Sequence, residues 1–177
     1  MKKIVLQILP IIIMAALLVC SCKESKPKSG NFFSFDEVVH YKIDISEMDL
    51  FRVQNQKVKT VKDSMLLRNA WNYMFTSIPN KRAITYLDSL DFEKTVIPHT
   101  VYPQINTLFT ESDLVNESGT TCEPVYRDIY VFRKNGKVSG VAKLCYTCEK
   151  SVFIGTKANT QNFGSKNEYG KLKKLLN

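Results

Sequence analysis

Apolar and polar residues alternate along the chain after residue 36. Every second residue from Val39 to Ile45 is apolar, and the residues between them are polar or charged. Successive side chains of a β-strand point to opposite faces, so this repeat of two predicts a strand over residues 37–45 with one buried face. A shorter pattern downstream predicts a second strand around residues 50–53.

The apolar repeat then changes to helical spacing. Apolar residues that recur three and four positions apart lie on one face of a helix, which can pack on a sheet. These residues are Leu66, Leu67, Ala70, Trp71, Met74, Phe75 and Ile78. Thr60 or Asp63 is the predicted N-cap, and Pro79 ends the helix at Ile78. The pattern predicts a main amphipathic helix over residues 63–78.

Weaker patterns predict four further elements. One or two helical turns are predicted over residues 81–90, and a short helix is predicted from Pro103 onward. A further strand is predicted over residues 151–155. The chain ends in a predicted helix from about Lys166, because Ser165 and Glu168 have the spacing of a capping box. Proline is common in the first turn of a helix, which supports the short helix at Pro103.

A β-hairpin is the clearest long-range prediction. Asn135 and Gly136 suit a two-residue turn because both tolerate positive φ. The flanking strands are residues 126–133 and 137–145. Pairing outward from the turn places Asp128 opposite Lys143, and opposite charges across strands are favourable. In the same register, one face of the hairpin is apolar and is expected to pack against the main helix. This face consists of Val125, Ile129, Val131, Val138, Ala142 and Leu144.

These elements together predict the fold class. Strands and helices that follow one another without a regular βαβ alternation are typical of an α+β domain. We expect a single globular α+β domain over residues 35–177, with an antiparallel sheet of about four strands. The main amphipathic helix covers one face of that sheet, and the C-terminal helix completes the domain.

The first 22 residues have a different pattern from the rest. Lys2 and Lys3 precede an apolar run that ends at Val19, and Ser21 and Cys22 follow. That order is typical of a secretory signal, and the run is short for a transmembrane helix, which needs about 20 predominantly apolar residues. With Val19 three positions before Cys22 and small Ser21 directly before it, the pattern resembles a bacterial lipoprotein signal.

The resemblance implies a cellular location for the protein. It implies a signal peptide over residues 1–21 and lipidation of Cys22, while Cys20 would leave with the signal peptide. Residues 22–34 are then the lipidated cysteine and a flexible tether. We expect anchoring in the membrane of the cell envelope through the lipid, in the outer membrane if there are two, because Lys23 replaces the aspartate of inner-membrane retention signals.

Three cysteines remain after the predicted signal peptide. The hairpin register gathers Cys122, Cys145 and Cys148 at the end away from the turn. An exported protein meets oxidising conditions, so a disulfide from Cys122 to Cys148 or to Cys145 is the first interpretation. Cys145 and Cys148 also have C-x-x-C spacing, which favours thiol exchange. Zinc held by the three cysteines with His99 or His40 as fourth ligand is the third interpretation.

The stretch from Cys122 to Cys148 resembles uncharacterised bacterial proteins. Their shared pattern is a cysteine, an aromatic-rich strand, an Asn-Gly-Lys turn, a second strand and a Cys-aromatic-x-Cys end. In this chain the turn is at residues 135–137, and Tyr146 is the aromatic residue of the final motif. The resemblance implies that the three cysteines act as a unit.

Motifs for other chemistry are absent from the sequence. There is no Gly-rich phosphate loop, no Gly-x-Ser-x-Gly motif and no nucleic-acid-binding motif, and the lysines behind the net charge of +8 are scattered. We expect a non-enzymatic envelope lipoprotein without a cofactor, which binds or supports an envelope protein or polysaccharide. The alternative is a thiol-redox or zinc-binding envelope protein that uses Cys122, Cys145 and Cys148.

Overall fold

The computed structural model describes residues 30–71, 79, 81–115 and 121–176 of the chain. The predicted signal peptide, Cys22 and the tether up to residue 29 lie outside the described residues, as do residues 72–78 of the predicted main helix. Within the described ranges, no helix has the length and apolar character that a membrane span requires.

Five strands of the described ranges form one antiparallel sheet. The strands are β1 (Glu37–Lys42), β2 (Glu93–Val96), β3 (Asp128–Lys134), β4 (Lys137–Cys145) and β5 (Lys150–Ile154). Their order across the sheet is β2-β1-β3-β4-β5. The predicted α+β class and antiparallel sheet are confirmed, with five strands instead of about four. The strand missed by sequence is β2, because all four of its residues are exposed and show no apolar repeat.

Five α-helices accompany the sheet in the described part of the chain. They are α1 (Glu47–Gln54), α2 (Val61–Ala70), α3 (Lys81–Asp88), α4 (Tyr102–Leu108) and α5 (Glu168–Leu176). Thr60 caps α2 as predicted, with Asp63 bonded back to the cap backbone. The strand predicted around residues 50–53 is wrong: a capping box between Ser46 and Asp49 starts helix α1 there.

The hairpin register departs from the predicted one beyond its first two pairs. Ser139 is an extra residue of β4 with no partner opposite in β3, which makes a β-bulge. A bulge of one residue shifts every later pair and turns the side chains to the other face. Asp128 lies opposite Leu144, and Lys143 lies opposite Ile129. The predicted pairing of Asp128 with Lys143 is therefore wrong.

Apolar side chains cover both faces of the sheet. The face beneath α2 and α3, called the α3 face here, carries Val39, Tyr41, Ile129, Val131 and Val141. The face beneath α4 and α5, called the α4 face, carries Val38, Tyr130, Phe132, Ala142 and Leu144. The single apolar face predicted for the hairpin is wrong, because the bulge sends Ala142 and Leu144 to the opposite side from Ile129 and Val131.

The packed domain begins earlier in the chain than the predicted boundary at residue 35. Phe32 and Phe33 are buried in the aromatic core of the α4 face. The Glu111 carboxylate accepts the backbone N–H groups of Asn159 and Gly30 at 2.6 and 3.1 Å. Those two hydrogen bonds lower the pKa of Glu111 and fix the first described residue to the domain.

Candidate functional site

A cavity of about 520 Å³ opens on the α4 face, beside β1 and β2 and next to α5. Its polar floor consists of His40, Asp128, Tyr130 and Tyr146. Its apolar wall consists of Ile97, Pro98, Val101, Leu175 and Leu176. Its rim consists of the exposed residues Lys42, Glu93, Thr95 and Lys173. The cavity therefore combines a buried polar floor with an apolar wall and a charged rim.

The pairing of β1 with β3 assembles the floor. His40 lies directly opposite Tyr130, and Lys42 lies opposite Asp128. Residues two apart on a strand share a face, so His40 and Asp128 are diagonal neighbours on the same side of the sheet. The His40 ring stacks on the Tyr130 ring, with centroids 4.5 Å apart and planes within 5°.

His40 and Asp128 form a buried hydrogen-bonded pair. The distance from His40 Nε2 to Asp128 Oδ1 is 2.8 Å, and both residues are less than a tenth exposed. A carboxylate only accepts hydrogen bonds, so the imidazole hydrogen is assigned to Nε2. His40 Nδ1 forms no hydrogen bond with any described residue. In the neutral ring, that second nitrogen is an acceptor.

Tyr130 and Tyr146 form the second polar pair of the floor. Their hydroxyl oxygens are 2.7 Å apart. Burial raises the pKa of both phenols above the usual value, so both hydroxyls stay protonated at ordinary pH. One hydrogen lies within the pair, which leaves a second hydroxyl hydrogen that a bound molecule can accept.

The cysteines lie near the end of β4 that precedes Tyr146. Cys122 and Cys148 form a disulfide with Cα atoms 5.6 Å apart, and Cys145 is a buried free thiol. Of the two disulfides that the sequence left open, the structure pairs Cys122 with Cys148. Cys145, Cys148 and Tyr126 belong to one small buried cluster. The bridge thus ties the segment before β3 to the turn that contains Tyr146.

The predicted histidine ligand lies in a different setting. His99 is exposed in a 3₁₀ turn, His99–Val101, and its ring packs on Tyr102 with centroids 4.6 Å apart. Across the described ranges, no group of three or more His, Cys, Asp or Glu side chains is arranged to hold a metal ion. While Cys122 and Cys148 share a disulfide, neither supplies a thiolate for zinc. The zinc alternative, with Cys122, Cys145 and Cys148 as ligands and His99 or His40 as the fourth, stays a prediction.

Lys143 is a buried cation on the opposite side of the sheet. Its Nζ lies 3.4 Å from the backbone oxygen of Arg68 and 4.8 Å from the centroid of the Tyr126 ring. Burial lowers the pKa of Lys143 to about 7. The bulge at Ser139 explains this position, because it turns Lys143 away from the face that holds Asp128.

Sequence reasoning missed the His40–Asp128 pair. It placed His40 on the solvated face of a strand, whereas that face is buried beneath α4 and α5. One signal could have found the site. His40 and Asp128 each share their strand face with a large apolar or aromatic residue, Val38 and Tyr130, which is unusual for a solvated face.

Comparison of the chain with protein-family models, with curated proteins and with solved structures finds no match. The function is therefore inferred from the chemistry of the cavity and of the cysteines.

Proposed function

We propose that this chain is a lipid-anchored protein of the bacterial cell envelope whose domain binds a small molecule in the cavity. The anchor is Cys22, and its support is the lipoprotein-like pattern of the first 22 residues. In a cell with two membranes, the proposed location is the outer membrane. The binding role is carried by one observation: the buried His40–Asp128 pair on the floor of the cavity.

The buried pair supports a binding role because burying these two polar groups does not favour the stability of the fold. Burying charged or polar groups is unfavourable unless they are hydrogen-bonded, and apolar residues of the same size would often stabilise a sheet as well or better. His40 and Asp128 each keep hydrogen-bonding capacity beyond the bond that joins them. Small-molecule sites are typically clefts of about 300–1,000 Å³ with a largely apolar lining and a few convergent polar groups.

A cavity-filling substitution tests the binding role. Thr95 is on the rim, and Thr95→Trp places an indole at the mouth of the cavity. Val96→Trp is the matched control, because Val96 is the next residue of β2 and points to the other face. The full chain, methyl-labelled and purified in detergent micelles, is titrated with acetate, methylammonium, phenol, imidazole and glucose, and the methyl signals of Val101 and Leu175 are followed by NMR.

We expect at least one compound to shift the cavity methyl signals in the wild type and in Val96→Trp, and to lose at least tenfold in affinity in Thr95→Trp. The physical reason is steric, since the added ring occupies the volume that the compound needs. Equal shifts in all three proteins contradict binding in the cavity. Absence of saturable shifts for all five compounds, together with absence of binding for the three branched-chain compounds described below, contradicts the binding role.

A second candidate function is thiol–disulfide exchange. The observation that favours it is the buried Cys145 thiol in the same cluster as Cys148. The Cys145 thiolate would attack Cys148 Sγ, a Cys145–Cys148 bond would form, and Cys122 would leave as a thiolate that takes up the proton. Peptide mapping after rapid alkylation tests this. Two disulfide-linked species support exchange, and a single Cys122–Cys148 species contradicts it.

A further inference from the structure

We propose that the ligand of the cavity is a small zwitterion with an apolar side chain, in chemical class a free aliphatic amino acid. This inference rests on the proposed binding function, which places the ligand in the same cavity. The floor, the rim and the wall of the cavity each match one part of such a molecule.

The floor matches a primary ammonium group. Such a group has three hydrogens to donate and carries a positive charge. The Asp128 carboxylate uses Oδ1 for His40 and forms no other hydrogen bond within the described chain, so Oδ2 is an acceptor for a ligand. His40 Nδ1 is a second acceptor. A buried carboxylate attracts a cation more strongly than an exposed one does, because the surroundings have a low dielectric constant.

The rim matches a carboxylate group. Lys42 and Lys173 are exposed, and neither forms an ion pair with another described residue. Lys42 follows His40 by two positions on β1, so its side chain is on the cavity side of the sheet. The formal charges of Lys42 and Lys173 balance those of Asp128 and Glu93 in the lining. A neutral lining with separated charges favours a zwitterion over a net anion.

The wall matches an aliphatic side chain. Val101 and Leu175 are partly exposed apolar residues that line the cavity together with the buried Ile97. Burial of methyl and methylene groups against such surface is favourable in proportion to their area. Affinity is therefore expected to rise from L-alanine through L-valine to L-leucine.

Three compounds of nearly the same shape separate the parts of this inference. L-leucine has both charged groups, 4-methylpentanoate lacks the ammonium group, and 3-methylbutylamine lacks the carboxylate. Isothermal titration calorimetry on the full chain in detergent micelles measures their affinities. We expect L-leucine to bind at least tenfold more tightly than either analogue.

Two substitutions assign the charged groups to residues. Asp128→Asn keeps the size of the side chain and removes its charge, so L-leucine should bind at least tenfold more weakly and 4-methylpentanoate unchanged. Lys173 is exposed, so Lys173→Gln does not endanger folding. This substitution should weaken the binding of L-leucine and leave the affinity for 3-methylbutylamine unchanged. Asp44→Asn, at an exposed position outside the cavity lining, is the control and should change neither affinity.

The outcomes also separate this inference from the proposed function. If 4-methylpentanoate binds as tightly as L-leucine, or if Asp128→Asn and Lys173→Gln both leave L-leucine binding unchanged, the zwitterion is the wrong class while a cavity ligand still stands. If neither the three compounds nor the five of the NMR panel bind, both the class and the binding function are overturned.

Discussion

Lys143 and Asp128 are the residues whose surroundings differ most from those that the sequence predicts. Both were expected on a solvated hairpin surface, paired with each other. Asp128 is instead bonded to His40 on the cavity floor, and Lys143 is buried on the α3 face. The local sequence shows only that both are charged. The partner of Asp128 is 88 positions away in the chain, so only the tertiary pairing of β1 with β3 reveals it.

The buried position of Lys143 predicts a pH-dependent stability. Its folded-state pKa of about 7 lies below the ~10.4 of an unfolded lysine. Between these pH values the unfolded chain binds more protons, so the free energy of unfolding should rise with pH from about 7 toward 10. One group contributes at most ~1.4 kcal/mol per pH unit. Urea denaturation at pH 7, 8 and 9 measures this slope.

Lys143→Met should flatten that slope, because it removes the titrating group and keeps an unbranched side chain. Lys137→Met is the matched control, since Lys137 is an exposed lysine of the same strand and should leave the slope as in the wild type. Equal slopes in the wild type and Lys143→Met would show that burial of Lys143 does not control the pH dependence.

At the scale of elements, local signals predicted the starts of two helices but failed at two others. A capping box between Ser46 and Asp49 lies where the sequence predicted a strand. The last helix begins at Glu168, where Asn167 Oδ1 instead of Ser165 accepts a first-turn N–H.

The helix at Thr60, the short helix at Pro103 and the Asn135-Gly136 turn all follow from neighbouring residues. The bulge at Ser139 does not. Next to it, Gly140 faces the ring of Phe33, which a side chain at Gly140 would overlap. That contact joins distant parts of the chain, so no local pattern predicts it.

The Cys122–Cys148 disulfide predicts a stability effect at this scale. It closes a loop with a sequence separation of 26 residues. By the chain-entropy model, such a cross-link stabilises the folded state by about 3 kcal/mol. Cys122→Ser should therefore lower the free energy of unfolding by about that amount in urea denaturation. Dithiothreitol should lower the free energy of unfolding of the wild type to the same level and leave that of Cys122→Ser unchanged.

A loss well below ~1 kcal/mol in Cys122→Ser would contradict a stabilising role for this bridge. The substitution also bears on the cavity, because the bridge holds the turn that contains Tyr146. We expect the affinity of cavity ligands to fall in Cys122→Ser, with Tyr130 and Asp128 unchanged in place.

For the whole molecule, the sequence predicted the fold class because alternation, helical spacing and turn residues agree over most of the chain. The second buried face of the sheet was not predictable in the same way. It depends on which helices cover the sheet, and α4 and α5 are short elements separated from it in sequence. The cavity lies on that second face, so the site was missed together with the face.

The membrane anchor is a prediction at the scale of the whole molecule. Cells that express the full chain and are grown with labelled palmitate should incorporate label into the wild type and into Cys20→Ser, but not into Cys22→Ser. The reason is that only Cys22 has a small residue directly before it and an aliphatic residue three positions before it. Undiminished labelling of Cys22→Ser would exclude Cys22 as the anchor.

The binding role requires that the cavity on the α4 face holds the ligand. An isotope-filtered NOE experiment detects that contact, on the methyl-labelled full chain with the tightest-binding compound among those titrated. We expect intermolecular NOEs from that compound to the methyl groups of Ile97, Val101 and Leu175. NOEs confined to exposed apolar side chains elsewhere, such as Met48 and Val58, would contradict it.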